Sequence, residues 1–108
     1  MDAVSVQLTH KQYLTITRNY ESAAAVADLA YVKDHEPGIV RMKRGRGFVY
    51  LFGSTRITDA DTLQRIKKLA IPPAWRKVWI CASANGHIQA TGLDARNRKQ
   101  YRYHSMWN

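Results

Sequence analysis

The sequence predicts a small α+β domain: an antiparallel β-sheet of about five strands with two or three short helices. Three observations carry this. From residue 29 onward, short apolar and alternating runs are separated by Pro-Gly, Gly-x-Gly and Asn-Gly breaks; one amphipathic helical stretch sits among them, closed by Pro72 and Pro73; and the composition is globular, with 45% hydrophobic and 23% charged residues. At 108 residues the chain suits one domain with one core and is too short for two of ordinary size. Disordered chains are less hydrophobic and more charged. The expected organisation is an N-terminal extension over 1–28, partly helical or flexible, a single folded domain over 29–104, and a short tail over 105–108.

Taken in order, ESAAAVADLA (Glu21 to Ala30) is rich in alanine, which loses no side-chain entropy in a helix, and would turn Val26 and Leu29 inward. LAYVK then reads as a strand, broken at Glu36, Pro37 and Gly38. IVRMKR follows, and after Gly45 to Gly47 comes FVYLF, which together make a meander whose turns need the fixed or positive φ of Pro and Gly. The next stretch is helical. Thr58 caps it, Asp59 and Asp61 occupy the first turn, Leu63, Ile66 and Leu69 share a face, and Lys67 and Lys68 lie near the carbonyl end, as the helix dipole and the 3.6 period require. The two prolines stop it.

VWICA is apolar on both faces and reads as a central strand. Asn85-Gly86 signals a two-residue hairpin into HIQATG, where Ile88 and Ala90 alternate with His87, Gln89 and Thr91. Asp94 to Asn97 form a turn, KQYRY is the last strand, and His104 to Asn108 begin a further helix.

The formal net charge is +9 and the pI about 10.1, which for so small a chain indicates a polyanionic partner, nucleic acid or an anionic membrane surface. The excess is confined to one half. Residues 1–61 carry eight Lys or Arg against seven acids, whereas residues 62–108 carry nine against Asp94 alone. No apolar run approaches 18 residues and no signal peptide is recognisable, so neither a membrane span nor export is indicated and the cytoplasm is the expected location. The single cysteine, Cys81, reads as a small buried hydrophobe, and the four histidines lack ligand spacing, so no metal or other cofactor is expected.

Two stretches carry the candidate binding chemistry. In RNRKQYRYH (96–104), the period of two places Lys99, Tyr101 and Tyr103 on one face and Gln100 and Arg102 on the other, with Arg96 and Arg98 in the preceding turn. Cations neutralise phosphates, tyrosine hydroxyls bond phosphates or base edges, and glutamine can pair with adenine. By composition alone a soluble, cationic edge strand whose tyrosines cover the core is an equal reading. RMKRGRG (41–47) places four cations at a hairpin; Arg44 and Arg46 are its candidate DNA contacts, and a solvated turn is the plainer alternative. No Gly-Lys-Ser/Thr follows GRG, which excludes a phosphate-binding nucleotide loop. Trp75 and Trp79 read as core, while Trp107 is open. Ser83, His87 and Asp94 have the residue types of a hydrolytic triad, but no nucleophile elbow surrounds the serine.

Several strings, YVKDHEPGIVRMKRGRGFVY, TRITDADTLQRIKKLAIPPAW and VWICASANGHIQATGLDARNRKQYRYH, resemble in order the N-terminal domain of the bacterial, poxvirus-like type IB DNA topoisomerases (eukaryotic-like DNA topoisomerase I), over roughly residues 29 to 107. The resemblance implies half of a clamp that closes on duplex DNA from the major-groove side. It implies DNA contacts by Gln100, Tyr101 and Tyr103 with Arg96, Arg98 and Lys99, to which composition adds Arg102, Arg44 and Arg46. Where relatives often have glycine, this chain has Asn97, which tolerates the left-handed conformation that a turn there needs. In that family a tyrosine in a larger C-terminal domain takes one DNA strand as a 3′-phosphotyrosyl bond, without metal or ATP. No catalytic role therefore passes to Tyr101, Tyr103 or His104. The isolated chain is expected to be a non-catalytic monomer whose partners are duplex DNA and the catalytic domain, with residues 105–108 leading toward the latter. The alternative is a small basic RNA-binding protein that stacks unpaired bases on its tyrosines.

Overall fold

The computed structural model describes residues 29–107. Among these, six strands form one sheet: β1 (Gly38–Arg44), β2 (Gly47–Phe52), β3 (Thr55–Arg56), β4 (Arg76–Cys81), β5 (Ile88–Leu93) and β6 (Lys99–Tyr103). Among the described residues one helix, α1 (Ala60–Lys68), is present, between β3 and β4. The spatial order is β3-β2-β1-β4-β5-β6 and every neighbouring pair is antiparallel. The α+β reading with an antiparallel sheet is thus correct, with two-residue β3 too short to announce itself in the sequence. No helix among the described residues is long and apolar enough to cross a membrane.

Pairing between neighbouring strands explains the core. Ile39, Ile80 and Ala90 are register partners across β1, β4 and β5, all at 0% exposure, and they form the centre of the face that α1 covers. Phe52, Ile57, Ile66, Trp75, Val78 and Ala82 complete this core, with Leu63 and Leu69 packed against it. Arg65 fastens the helix to the sheet by donating to Gln89 Oε1 at 2.7 Å and to the Cys81 carbonyl at 2.9 Å. Cys81 is buried, as expected of a small hydrophobe.

The helix starts one residue later than Thr58 suggested. Asp59 is the cap, with extended backbone (φ −72°, ψ 135°), and its Oδ2 accepts from the Thr62 amide at 3.0 Å. A carboxylate at that position also complements the dipole.

Three expectations are corrected. LAYVK is not a strand: Ala30 alone makes an isolated parallel bridge, to Gly86, and Val32 donates its amide to His87 Nδ1 rather than to a ladder. The helix expected over Glu21 to Ala30 lies outside the described residues apart from its end, where Ala30 is in that bridge; the extension over 1–28 likewise lies outside them. Asn85-Gly86 makes no two-residue hairpin, because the connection runs from residue 82 to 87 and neither residue has positive φ. Gln89 is buried and closes this loop, its amide donating to the Ser83 carbonyl at 3.2 Å and the Gly86 carbonyl at 2.8 Å. Glycine is required at 86 for another reason: a Cβ there would sit 2.6 Å from Cys81 Sγ. Residues 104–107 form a turn, with the Trp107 amide donating to the His104 carbonyl at 2.9 Å, and not the start of a helix.

The β5–β6 turn is as the sequence indicated. Asn97 has φ +63°, in the left-handed region, and its Oδ1 accepts from the Arg76 guanidinium.

Candidate nucleic-acid interface

β6 is the sheet edge, and its exposure alternates as the period of two requires. Tyr101 and Tyr103 project from the face opposite α1, 41% and 48% exposed, with ring centroids 5.8 Å apart and planes 15° from parallel. Trp107 extends this ladder, its ring 6.5 Å from that of Tyr103 and again at 15°. Trp107 also packs on His87 (4.8 Å) and edge-on to Tyr31 (5.6 Å). His87 Nδ1 lies 3.1 Å from the Val32 amide and 3.3 Å from the Ala30 carbonyl, which ties the ring to the segment before β1. The same sheet face continues through register partners Thr91, Trp79, Val40 and Leu51 toward the β1–β2 hairpin. Val40 and Met42 are about half exposed there (49% and 48%). By strand alternation Arg44 projects from this face, and Arg46 lies in the turn beside it.

The cations divide into free and committed groups. Arg44, Arg46 and Arg96 are exposed, and their guanidinium groups have no partner among the described residues. Lys99 is paired with Asp34, which also accepts from Thr91 Oγ1 at 3.0 Å. Lys99 holds the Asp34 carboxyl below its ordinary pKa, and Asp34 raises that of Lys99 in return. Arg98 is paired with Asp94 at 2.9 Å. Arg102, on the helix side, donates through Nε to the Leu69 carbonyl at 3.0 Å and lies 5.1 Å over the Trp75 ring. Gln100, also on that side, donates its amide to Asp94 Oδ2 at 2.9 Å. Of the four cations in RMKRGRG, Arg41 does not reach a phosphate-facing hairpin tip. It donates to the carbonyls of Ile71 (3.3 Å), Pro72 and Trp75 (3.0 Å each) and lies 4.1 Å over the Phe48 ring.

Asp94 organises the turn. Its oxygens accept from the backbone amides of Arg98 and Arg96 and from the Arg98 and Gln100 side chains, each at 2.9 Å. The Arg98 amide above all, followed by Gln100 and Arg96, pulls the carboxyl from its ordinary 3.8 to about 2. A depressed carboxylate pKa stabilises the fold above the unfolded value and ceases to do so as the group protonates. The turn is therefore expected to hold at pH 5 and to loosen as pH falls from about 4 to about 2. Amide exchange of Arg96 and Arg98 followed against pH checks this, and loosening already near pH 5 would refute it.

No hydrolytic triad forms. Ser83 Oγ accepts from the Asn85 amide at 3.1 Å, and His87 and Asp94 flank opposite ends of β5, roughly 20 Å apart at the strand rise. Trp75 is buried, and Trp79 is half-buried with Nε1 donating to the Glu36 carbonyl at 3.0 Å. Asp34 is the site residue that sequence reasoning missed. Nothing local marks it, since its partners Thr91 and Lys99 are more than fifty residues away in the chain.

Residues 47–94 match the family described as bacterial DNA topoisomerase IB, N-terminal domain. The chain is also 45% identical, over 71 residues, to DNA topoisomerase 1B of Acanthamoeba polyphaga mimivirus, covering 64% of this chain and 21% of that protein. Both matches support an N-terminal domain of the bacterial type IB topoisomerase kind, the first over residues 47–94. It spans about a fifth of the length of the viral topoisomerase it matches. The segment matched to the topoisomerase family runs from the start of β2 through β5 and ends at Asp94, the residue that ties the basic turn together. β6 and its tyrosines lie just beyond that segment, held to it by five register pairs.

Proposed function

We propose that this chain is a duplex-DNA-binding module of a type IB topoisomerase, one half of a clamp that closes from the major-groove side. The observation that carries the reading is the exposed Tyr101–Tyr103 ladder on an edge strand, with Arg96 at the turn end and Arg44 and Arg46 at the rim of the same sheet face. The major groove, about 12 Å wide, admits an extended ribbon. Arg44, Arg46 and Arg96 bring free positive charge to phosphates and fix register. The tyrosine hydroxyls meet base edges or phosphates, whereas Gln100, on the other face of β6, takes part only by releasing Asp94. Lys99 and Arg98 already have carboxylate partners, so they take part by exchanging Asp34 and Asp94 for phosphate oxygens.

The strand transfer to a tyrosine, rotation and religation are the work of a catalytic domain that this chain partners, in the cytoplasm at the nucleoid. The chain itself contributes affinity and closure as a monomer. An RNA-binding reading is favoured by the same aromatic ladder, since rings are platforms for unpaired bases. Against it, Tyr101 and Tyr103 stack on each other and so present edges and hydroxyls outward. Fluorescence anisotropy with a labelled duplex, in competition with unlabelled duplex or single-stranded RNA of equal length, decides between them. The duplex is expected to displace the probe at lower concentration; stronger displacement by RNA would reverse the assignment.

A further inference from the structure

Between the end of α1 and the residues after β6 lies a cavity of about 310 Å³ whose lining includes Arg65, Lys68, Arg102, Tyr103, His104 and Ser105. Three of its residues are cationic, and no acid lines it. Arg102 Nε and Nη2 serve the Leu69 and Ala70 carbonyls at 3.0 and 3.3 Å, and Nη1 has no acceptor among the described residues. Lys68 is exposed and unpaired among them. His104 Nδ1 accepts from the Met106 amide at 3.0 Å, which leaves Nε2 as the donating nitrogen, and Ser105 adds an exposed hydroxyl. The carbonyl end of a helix alone would favour a cation. Here Arg102 covers those carbonyls, and the charged groups of the lining are all cationic, beside the apolar Leu69 and Ala84. The volume is at the lower end of the range for ligand pockets, about 300–1,000 Å³.

We propose that this cavity is a seat for one phosphate group. Guanidinium and ammonium donors without a competing carboxylate suit a phosphate dianion, which needs several charge-assisted donors at once. The group can belong to a nucleic-acid backbone or to a free phosphate compound. The seat does not depend on the duplex reading, because its cations, Arg65, Lys68 and Arg102, are not the free arginines of the tyrosine face, although Tyr103 borders both.

The test is a titration of the 108-residue chain with inorganic phosphate, followed by amide and arginine side-chain NMR signals. Saturable shifts are expected at Lys68, Arg102, His104 and Ser105. Lys68→Gln, which removes an exposed cation with no internal bond, should weaken them about tenfold, as loss of one charge-assisted bond implies, while Arg44→Gln should leave them unchanged. Shifts that fail to saturate, or that spread equally over Arg44, Arg46 and Arg96, would overturn the seat. A parallel duplex titration separates the sources. If the duplex moves the same signals, the seat holds a backbone phosphate; if it does not while inorganic phosphate still saturates them, the seat serves a free phosphate compound.

Discussion

Replacing Tyr101 and Tyr103 together with alanine is expected to weaken duplex binding about thirtyfold, the loss of two hydroxyl hydrogen bonds at about 1 kcal/mol each. Thermal stability should change little. Both rings are nearly half exposed on the face away from α1, and the packing they lose is chiefly their contact with one another and with Trp107. An exposed aromatic pair on a sheet stabilises by about 1 kcal/mol or less. Anisotropy for affinity and thermal melting for stability, measured on the same preparation, separate the two effects. A large fall in melting temperature with unchanged affinity would place the tyrosines in a structural role, the alternative that composition alone left open.

Arg41→Ala should behave in the opposite way. Its guanidinium bridges the carbonyls of Ile71, Pro72 and Trp75, the segment that carries the chain from α1 into β4, and it stacks on Phe48. Hydrogen bonds from a charged donor contribute about 1.5–3 kcal/mol net, and truncation leaves three part-buried carbonyls without this partner. A loss of about 3 kcal/mol in unfolding free energy is expected from urea denaturation. Arg41→Lys should recover little of it, because an ammonium cannot reproduce the planar fork. Duplex affinity of the folded variant should stay within about twofold of the parent. Unchanged stability with a clear loss of affinity would return Arg41 to the phosphate contacts.

The contrast between these two variants shows where the sequence was informative. Period two alone separates Lys99, Tyr101 and Tyr103 from Gln100 and Arg102, and the structure has that division. Asn97 announces its left-handed turn because few side chains tolerate positive φ. Both signals are local. Arg41 and Arg102 look in sequence like further members of basic runs, and only the folded chain brings carbonyls of a distant loop to them. Lys99 likewise looks free until Asp34 is placed beside it by the segment before β1. LAYVK has strand composition, yet its amide at Val32 finds an imidazole nitrogen where a strand would need a neighbouring edge. Asn85-Gly86 has hairpin chemistry, but here the glycine makes room for a sulfur atom and a parallel bridge. Charge count therefore overstates the binding surface. Of the nine residues suggested as DNA contacts, Arg44, Arg46 and Arg96 are the cations without an internal partner among the described residues.

That division makes the salt dependence of duplex binding the most direct measurement. Each phosphate neutralised releases condensed counterions, so the logarithm of the association constant falls against that of salt concentration by about 0.9 per contact. Three free arginines predict a slope of about −3, steepening only if Lys99 and Arg98 leave their carboxylates. A slope near zero would contradict a phosphate-neutralising surface and with it the clamp.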